Sequence, residues 1–162
     1  MHVKRFLDWI GLKQKLDSYN HSAPHVTEGE IWWAGIGENV GFEINGKSSL
    51  FSRPVIIFKQ LAHGFYFVIP TTSQEKNGTW YVMFKQRGKI TTACLHQARA
   101  IDYRRLYSKL GELDDSDFKK VKKGFEDLYL QKIPLTSEGE GSRENPESTP
   151  IVKEIGSKIK KE

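Results

Sequence analysis

The sequence has a single cysteine, Cys94, so no intramolecular disulfide can form and a reducing compartment is the natural reading. Cys94 stands in KITTACLHQ, an apolar, strand-like context. That setting suits a small core residue; a nucleophile needs electropositive, accessible surroundings. Long apolar runs are also missing. No stretch of about 18 apolar residues occurs, so no membrane-spanning helix is expected. The opening MHVKRFLDWIGLKQKLDSY scatters charge where a secretory signal needs an unbroken apolar run, so a cytoplasmic protein is expected. Metal-ligand spacing is absent too. His2, His21, His25, His63 and His96 have no Cys-x-x-Cys companion, and the one pair four apart, His21 and His25, brackets the helix-breaking Pro24. GIGENVG has spaced glycines but no helix pattern after it, so no phosphate loop of Walker type is present. Neither a metal nor a cofactor is expected.

What is present is a modest positive charge, formally +5 over 162 residues. Residues 131–162 carry six basic and six acidic side chains, so the excess belongs to the preceding chain. An acidic partner such as nucleic acid fits that imbalance.

The chain divides into three parts by texture: 1–27, 28–130 and 131–162. In the first, Val3, Phe6, Leu7 and Ile10 follow a helical period and predict an amphipathic helix over 3–19, with Trp9 and Leu12 blurring the stripe. It reads either as packing on the main domain or as a partner-binding arm. From residue 29 the texture becomes strand-like. Runs at 29–36, 53–59, 64–72, 79–85 and 89–95 are rich in β-branched and aromatic residues and are separated by turn signals. Short strands at this spacing predict a small barrel, a coiled sheet or a sandwich. DYRRLYSKLG predicts a short helix ended by Gly111. A longer helix then starts from an Asp114 cap, with Phe118, Val121, Phe125 and Leu128 as its core stripe and Gly124 as a weak point. In 131–162, Glu, Ser, Gly and Pro dominate and aromatics vanish, which predicts a disordered tail.

One stretch carries a chemical question. In FSRPVIIFKQ a permanent cation, Arg53, precedes a buried strand, with Pro54 at the strand's mouth. Arg53 is either a solvated charge or part of an anion site. The next strand ends in IPTTSQ. An antiparallel pair would bring Arg53 and either Thr71 or Thr72 to one rim, and a guanidinium beside a hydroxyl can clamp a phosphate.

These pieces resemble the MazF/PemK family of toxin ribonucleases. GEIWWAGIG resembles the family's opening strand and NVGFEINGK its glycine–x–glutamate–x–x–glycine loop. RPVIIF is similar to its arginine–proline strand, and IPTTSQ to its threonine-bearing strand end. LHQARAIDYRRLYSKLGELDDSDFKKVKKGFEDLY resembles its closing strand and helix. The resemblance covers about residues 28–130. It implies a mainly β, SH3-like small barrel with a C-terminal helix, here with an N-terminal helix added. It also implies a homodimer that cuts single-stranded RNA without metal, is neutralised by a cognate antitoxin peptide in the RNA groove, and binds DNA together with that antitoxin. The family's catalytic arginine and threonine fall on Arg53 and Thr72, and its loop glutamate on Glu43. Two departures stand out: GKSSLFSRP is longer than the family's step into arginine–proline, and the adjacent Thr71 allows a register slip that would present the other hydroxyl.

The implied reaction is attack of the RNA 2′-OH on its own phosphate, leaving a 2′,3′-cyclic phosphate and a 5′-OH. Arg53 suits stabilisation of phosphoryl charge, since a guanidinium stays protonated and so has no free lone pair to act as a base. Thr72 suits donation to a non-bridging oxygen, and Glu43 is the carboxylate candidate for base or else a solvated loop charge. Lys47, Ser73, Gln74, Lys76 and Lys85 are candidate RNA contacts, with Lys59 and Arg87 as further nearby cations and Gln97 as a candidate reader of a base edge. Two alternatives are a related gyrase-binding toxin of the CcdB type, which lacks the arginine–threonine pair, and a non-catalytic RNA-binding barrel.

Overall fold

The computed structural model describes residues 4–130; the expected disordered tail, 131–162, lies outside the described residues, as does Val3. Its elements are α1 (Phe6–Ser18), β1 (Glu30–Gly35), β2 (Ser52–Ala62), β3 (Phe65–Thr72), β4 (Tyr81–Gln86), β5 (Lys89–Cys94), β6 (Arg99–Asp102), β7 (Leu106–Glu112) and α2 (Asp115–Tyr129). Short 3-10 turns at Leu95–Gln97 and Tyr103–Arg105 flank β6. All strand pairings are antiparallel. The strand order is β4-β5-β3-β2-β1-β7, and β6 also pairs with β3. β3 therefore gives the first half of one edge to β6 and the second half to β5, which coils the sheet.

The β-branched run in β2 makes it the central strand. Val55, Ile56 and Ile57 are fully buried, although strand side chains alternate faces, because both faces of β2 are covered. Val55 and Ile57 join Trp32, Ala34, Tyr66, Val68, Ile101 and Leu106 on one side. Ile56 joins Ile31, Ile69, Phe84, Leu95 and Leu113 on the other, where α2 lays Val121 with Phe118, Phe125 and Leu128 beside it. Asp114 caps α2 as expected, its side chain accepting from the Asp117 amide at 2.7 Å.

Two expectations are corrected. Residues 103–111 do not form a helix ended by Gly111; they form a 3-10 turn and then strand β7. Asp102 caps the start of the turn by accepting from the Arg104 amide at 3.0 Å and from Arg104 Nε at 2.8 Å, and the turn ends at Leu106. The chain then pairs with β1, which would otherwise be an open edge, with Trp33 opposite Ser108 and Ile31 opposite Gly111. Glu30 reinforces the pairing by accepting from Lys109 Nζ at 2.8 Å and Trp32 Nε1 at 2.8 Å. Tertiary pairing overrides a weak helical preference here.

The second correction concerns α1. Its predicted stripe is not the docking face: Phe6 and Ile10 are exposed and Leu7 is 84% exposed. The helix docks through Trp9, the residue that blurred the periodicity, and Trp9 is buried against Phe51 with ring centroids 5.7 Å apart. No helix among the described residues is long and apolar enough to cross a membrane.

Candidate active site

Arg53 enters at the mouth of β2, where register places it opposite Ala34 of β1. Its Nε donates to the Asn45 carbonyl oxygen at 2.9 Å and its Nη1 to the Thr71 carbonyl oxygen at 3.2 Å. Burial lowers its pKa, yet a guanidinium keeps its proton throughout the range a protein experiences. These bonds fix the side chain without cancelling its charge, because both acceptors are neutral carbonyls. A half-buried, oriented and uncompensated cation favours an anionic ligand.

The adjacent threonines divide the work. Thr71 is buried, and its hydroxyl donates to the Pro54 carbonyl oxygen at 3.1 Å. Thr72 is only half-buried and stands opposite Thr92 of β5. Its oxygen accepts from the Gln74 amide at 3.3 Å, which leaves the hydroxyl proton to donate.

Arg53 and Thr72 line one cleft of about 640 Å³, together with Trp33, Lys47, Ser73 and Arg87. Lys89, Gln86, Ile90, Thr91 and Leu110 complete much of its wall. Four cations thus face the same space: Lys47, Arg53, Arg87 and Lys89. No carboxylate and no histidine is among the described residues that line it.

Other candidate residues sit elsewhere. Glu43 is exposed, and its carboxylate accepts from the Val40 amide at 3.1 Å within its own turn. Gln97 uses its amide group on the 36–52 loop, accepting from the Ile44 amide at 2.9 Å and donating to the Phe42 carbonyl oxygen at 3.2 Å. The Gln74 carbonyl oxygen accepts from the Thr92 hydroxyl at 2.8 Å. Lys76 lies over the Tyr81 ring. Lys85 lines a different cleft beside α2, and Lys59 pairs with Glu28 at 3.0 Å. His96 packs between Trp80 and Tyr81. Cys94 is buried, and burial raises its thiol pKa, so it is an unreactive core residue. Among the described residues no group of three His, Cys, Asp or Glu side chains is arranged to hold a metal.

Several lining residues were not legible in the sequence. Lys89 and Thr91 reach the cleft because β5 pairs with β3, and Leu110 because β7 pairs with β1. Asn45 matters through its backbone carbonyl, which carries no side-chain signal.

Residues 27–129 match the PemK-like, MazF-like toxins of type II toxin–antitoxin systems. The match spans well over half the chain, and the protein belongs to that family. MazF from Deinococcus radiodurans shares the fold with a TM-score of 0.55 at 21% identity, over 67% of this chain and 100% of that one. A mycobacterial endoribonuclease solved with its cognate antitoxin aligns with a TM-score of 0.51 at 11% identity, over 68% of this chain and 100% of that one. A second mycobacterial endoribonuclease structure aligns with a TM-score of 0.51 at 12% identity, over 72% of this chain and all of its own. No curated protein matches the sequence. The family match begins at residue 27 and so leaves α1 outside it.

Proposed function

We propose that this toxin is an endoribonuclease that cleaves single-stranded RNA by internal attack of the 2′-OH. The observation that carries the reading is the cleft that Arg53, bonded among the described residues to two carbonyl oxygens, lines together with Thr72. The 2′-oxygen bonds to phosphorus and loses its proton to solvent. The bond from phosphorus to the 5′-oxygen breaks, and that oxygen gains a proton. Arg53 balances the charge that grows on the phosphoryl oxygens in between, and Thr72 donates a hydrogen bond to one of them. Lys47, Arg87 and Lys89 hold the backbone phosphates on either side. Glu43 shapes its loop instead of acting as base, because its carboxylate is engaged in its own turn and does not line the cleft.

The same basic cleft suits an acidic peptide segment, so an antitoxin that blocks the RNA path by occupying it is the expected partner. The mycobacterial endoribonuclease bound to its cognate antitoxin supports that expectation by analogy of fold. Assembly of two copies is what the family resemblance implies.

The test is cleavage of mixed RNA by the purified full chain in EDTA, with the ends mapped. Arg53→Ala should slow cutting by at least about a hundredfold, the scale of losing a transition-state donor, while the protein stays folded. Undiminished cleavage by Arg53→Ala would overturn the assignment. Binding of RNA without cutting would make the protein an RNA-binding barrel.

A further inference from the structure

We infer that the amino-terminal extension acts as a clamp that positions Arg53, through the 36–52 loop, for the reaction proposed above. The inference rests on that reading for its catalytic half and on packing for the rest. Arg53 is not oriented by the sheet alone. One of its two hydrogen bonds goes to Asn45, in the middle of the loop. The loop in turn is fastened to the extension at three levels.

At the base of the loop, Gly37 packs against the indole of Trp9. A Cβ on Gly37 would stand 2.5 Å from Trp9 Cε2, so a side chain there would push the ring away, and its φ of +100° also calls for glycine. Gly37 joins both limbs of the loop, donating to the Phe51 carbonyl oxygen at 3.1 Å and accepting from the Gly46 amide at 2.8 Å. At the returning limb, Phe51 is buried between Trp9 and the Arg5 guanidinium, which lies 4.5 Å from its ring centre. Arg5 Nη2 also donates to the Ser48 carbonyl oxygen at 2.7 Å. Phe51 and Ser48 both hold φ near the left-handed region, at 46° and 63°. Such conformations are strained in non-glycine residues and persist only where surrounding contacts hold them.

The third level is a relay to the catalytic side chain. Lys4 Nζ donates to the Asn39 carbonyl oxygen at 2.8 Å. The Asn39 amide donates to Asn45 Oδ1 at 2.7 Å, and Asn39 Nδ2 donates to the Ile44 carbonyl oxygen at 2.7 Å. The carbonyl of the same Asn45 receives Arg53. Asn39 and Asn45 therefore link Lys4 of the extension to the Arg53 guanidinium. The residues that build the clamp, Lys4, Arg5 and Trp9, precede the stretch shared with the family, while Arg53 belongs to it.

The experiment compares Trp9→Ala, Trp9→Phe, Arg5→Ala and the exposed-face control Leu7→Ala in the full chain. It reads kcat and KM on a short single-stranded RNA, and amide exchange at Gly46, Lys47 and Ser52. Trp9→Ala should lower kcat by about ten- to a hundredfold, the scale of a displacement near 1 Å at a reacting centre. KM should stay within about threefold, since Arg53 and the other cations remain. Exchange at the three loop amides should quicken while that of Ile56 and Ile69 in β2 and β3 holds. Arg5→Ala should act in the same direction without removing a buried ring, Trp9→Phe should recover most of kcat, and Leu7→Ala should match the parent. Parental kcat and parental loop exchange in Trp9→Ala and Arg5→Ala would overturn the clamp and leave the nuclease reading intact. A parent chain that cuts no RNA would overturn that reading and the kinetic half of the inference, and loop exchange alone would then decide the clamp.

Discussion

The two helices of this protein dock by opposite means. α2 follows a regular stripe: Phe118, Val121, Phe125 and Leu128 all meet the sheet, and Asp114 caps the first turn through its side chain. α1 has no side-chain cap, leaves Leu7 and Ile10 in solvent, and buries one residue, Trp9, against Phe51 of the loop and near the Arg105 guanidinium, while Asp17 near its end pairs with Arg104 at 3.1 Å. The difference teaches that helical periodicity reports burial against a broad surface. A helix held by one buried ring and an ion pair near its end need not show it. α2 completes the hydrophobic core, whereas α1 fixes the shape of the segment that carries Asn45 to Arg53.

Glycine-to-alanine changes put that comparison to its hardest test, because each helix contains one glycine. At Gly124 of α2 a Cβ would stand 2.6 Å from Val82 Cγ2 and 3.2 Å from Leu95 Cδ1. Overpacking of about 1–3 kcal/mol should outweigh the gain in helix propensity, so Gly124→Ala should lower the denaturation midpoint. At Gly11 of α1 nothing lies within 4 Å. Gly11→Ala should stabilise the helix by about 0.5–1 kcal/mol and slow exchange there. Equal signs at the two sites would mean that α2 does not approach the sheet as closely as described.

Acid titration sharpens the contrast on a smaller scale. The amide of Asp117, the hydroxyl of Ser116 and nearby Lys120 hold the Asp114 carboxyl below its usual pKa, against a small opposing effect of burial. A depressed folded-state pKa stabilises the protein above the unfolded value, near 3.9, and the benefit is lost as pH falls through the folded value. Asp114→Asn keeps a good cap but no longer titrates. It should therefore flatten the fall of stability between about pH 5 and 3.

Much of the fold was legible from local pattern. Five strands and α2 follow from β-branched runs, turn signals and one clear stripe. Strand β7 was hidden because its identity is set by a distant partner: Leu106–Glu112 is extended in order to cover β1, and nothing within the segment announces that. The site was legible where it depends on one antiparallel pair. The β2–β3 register joins Val55 to Pro70, and this alone brings Arg53 to the carbonyl of Thr71. It was illegible where it depends on strand order, as for Lys89 and Thr91, or on backbone atoms, as for Asn45. Glu43 and Gln97 have plausible chemistry in sequence, but hydrogen bonding within and onto the loop engages both.

The most direct measurement concerns the 2′-OH itself. An RNA carrying the mapped cut site is compared with one in which the nucleotide 5′ to the scissile phosphate is 2′-deoxy, both incubated with the full chain in EDTA. The all-ribose strand should yield a 2′,3′-cyclic phosphate and a 5′-OH, and the deoxy strand should bind in the Arg53 cleft yet remain whole. Cleavage of the deoxy strand at the same bond, or products bearing a 5′-phosphate, would contradict internal attack and the roles given to Arg53 and Thr72.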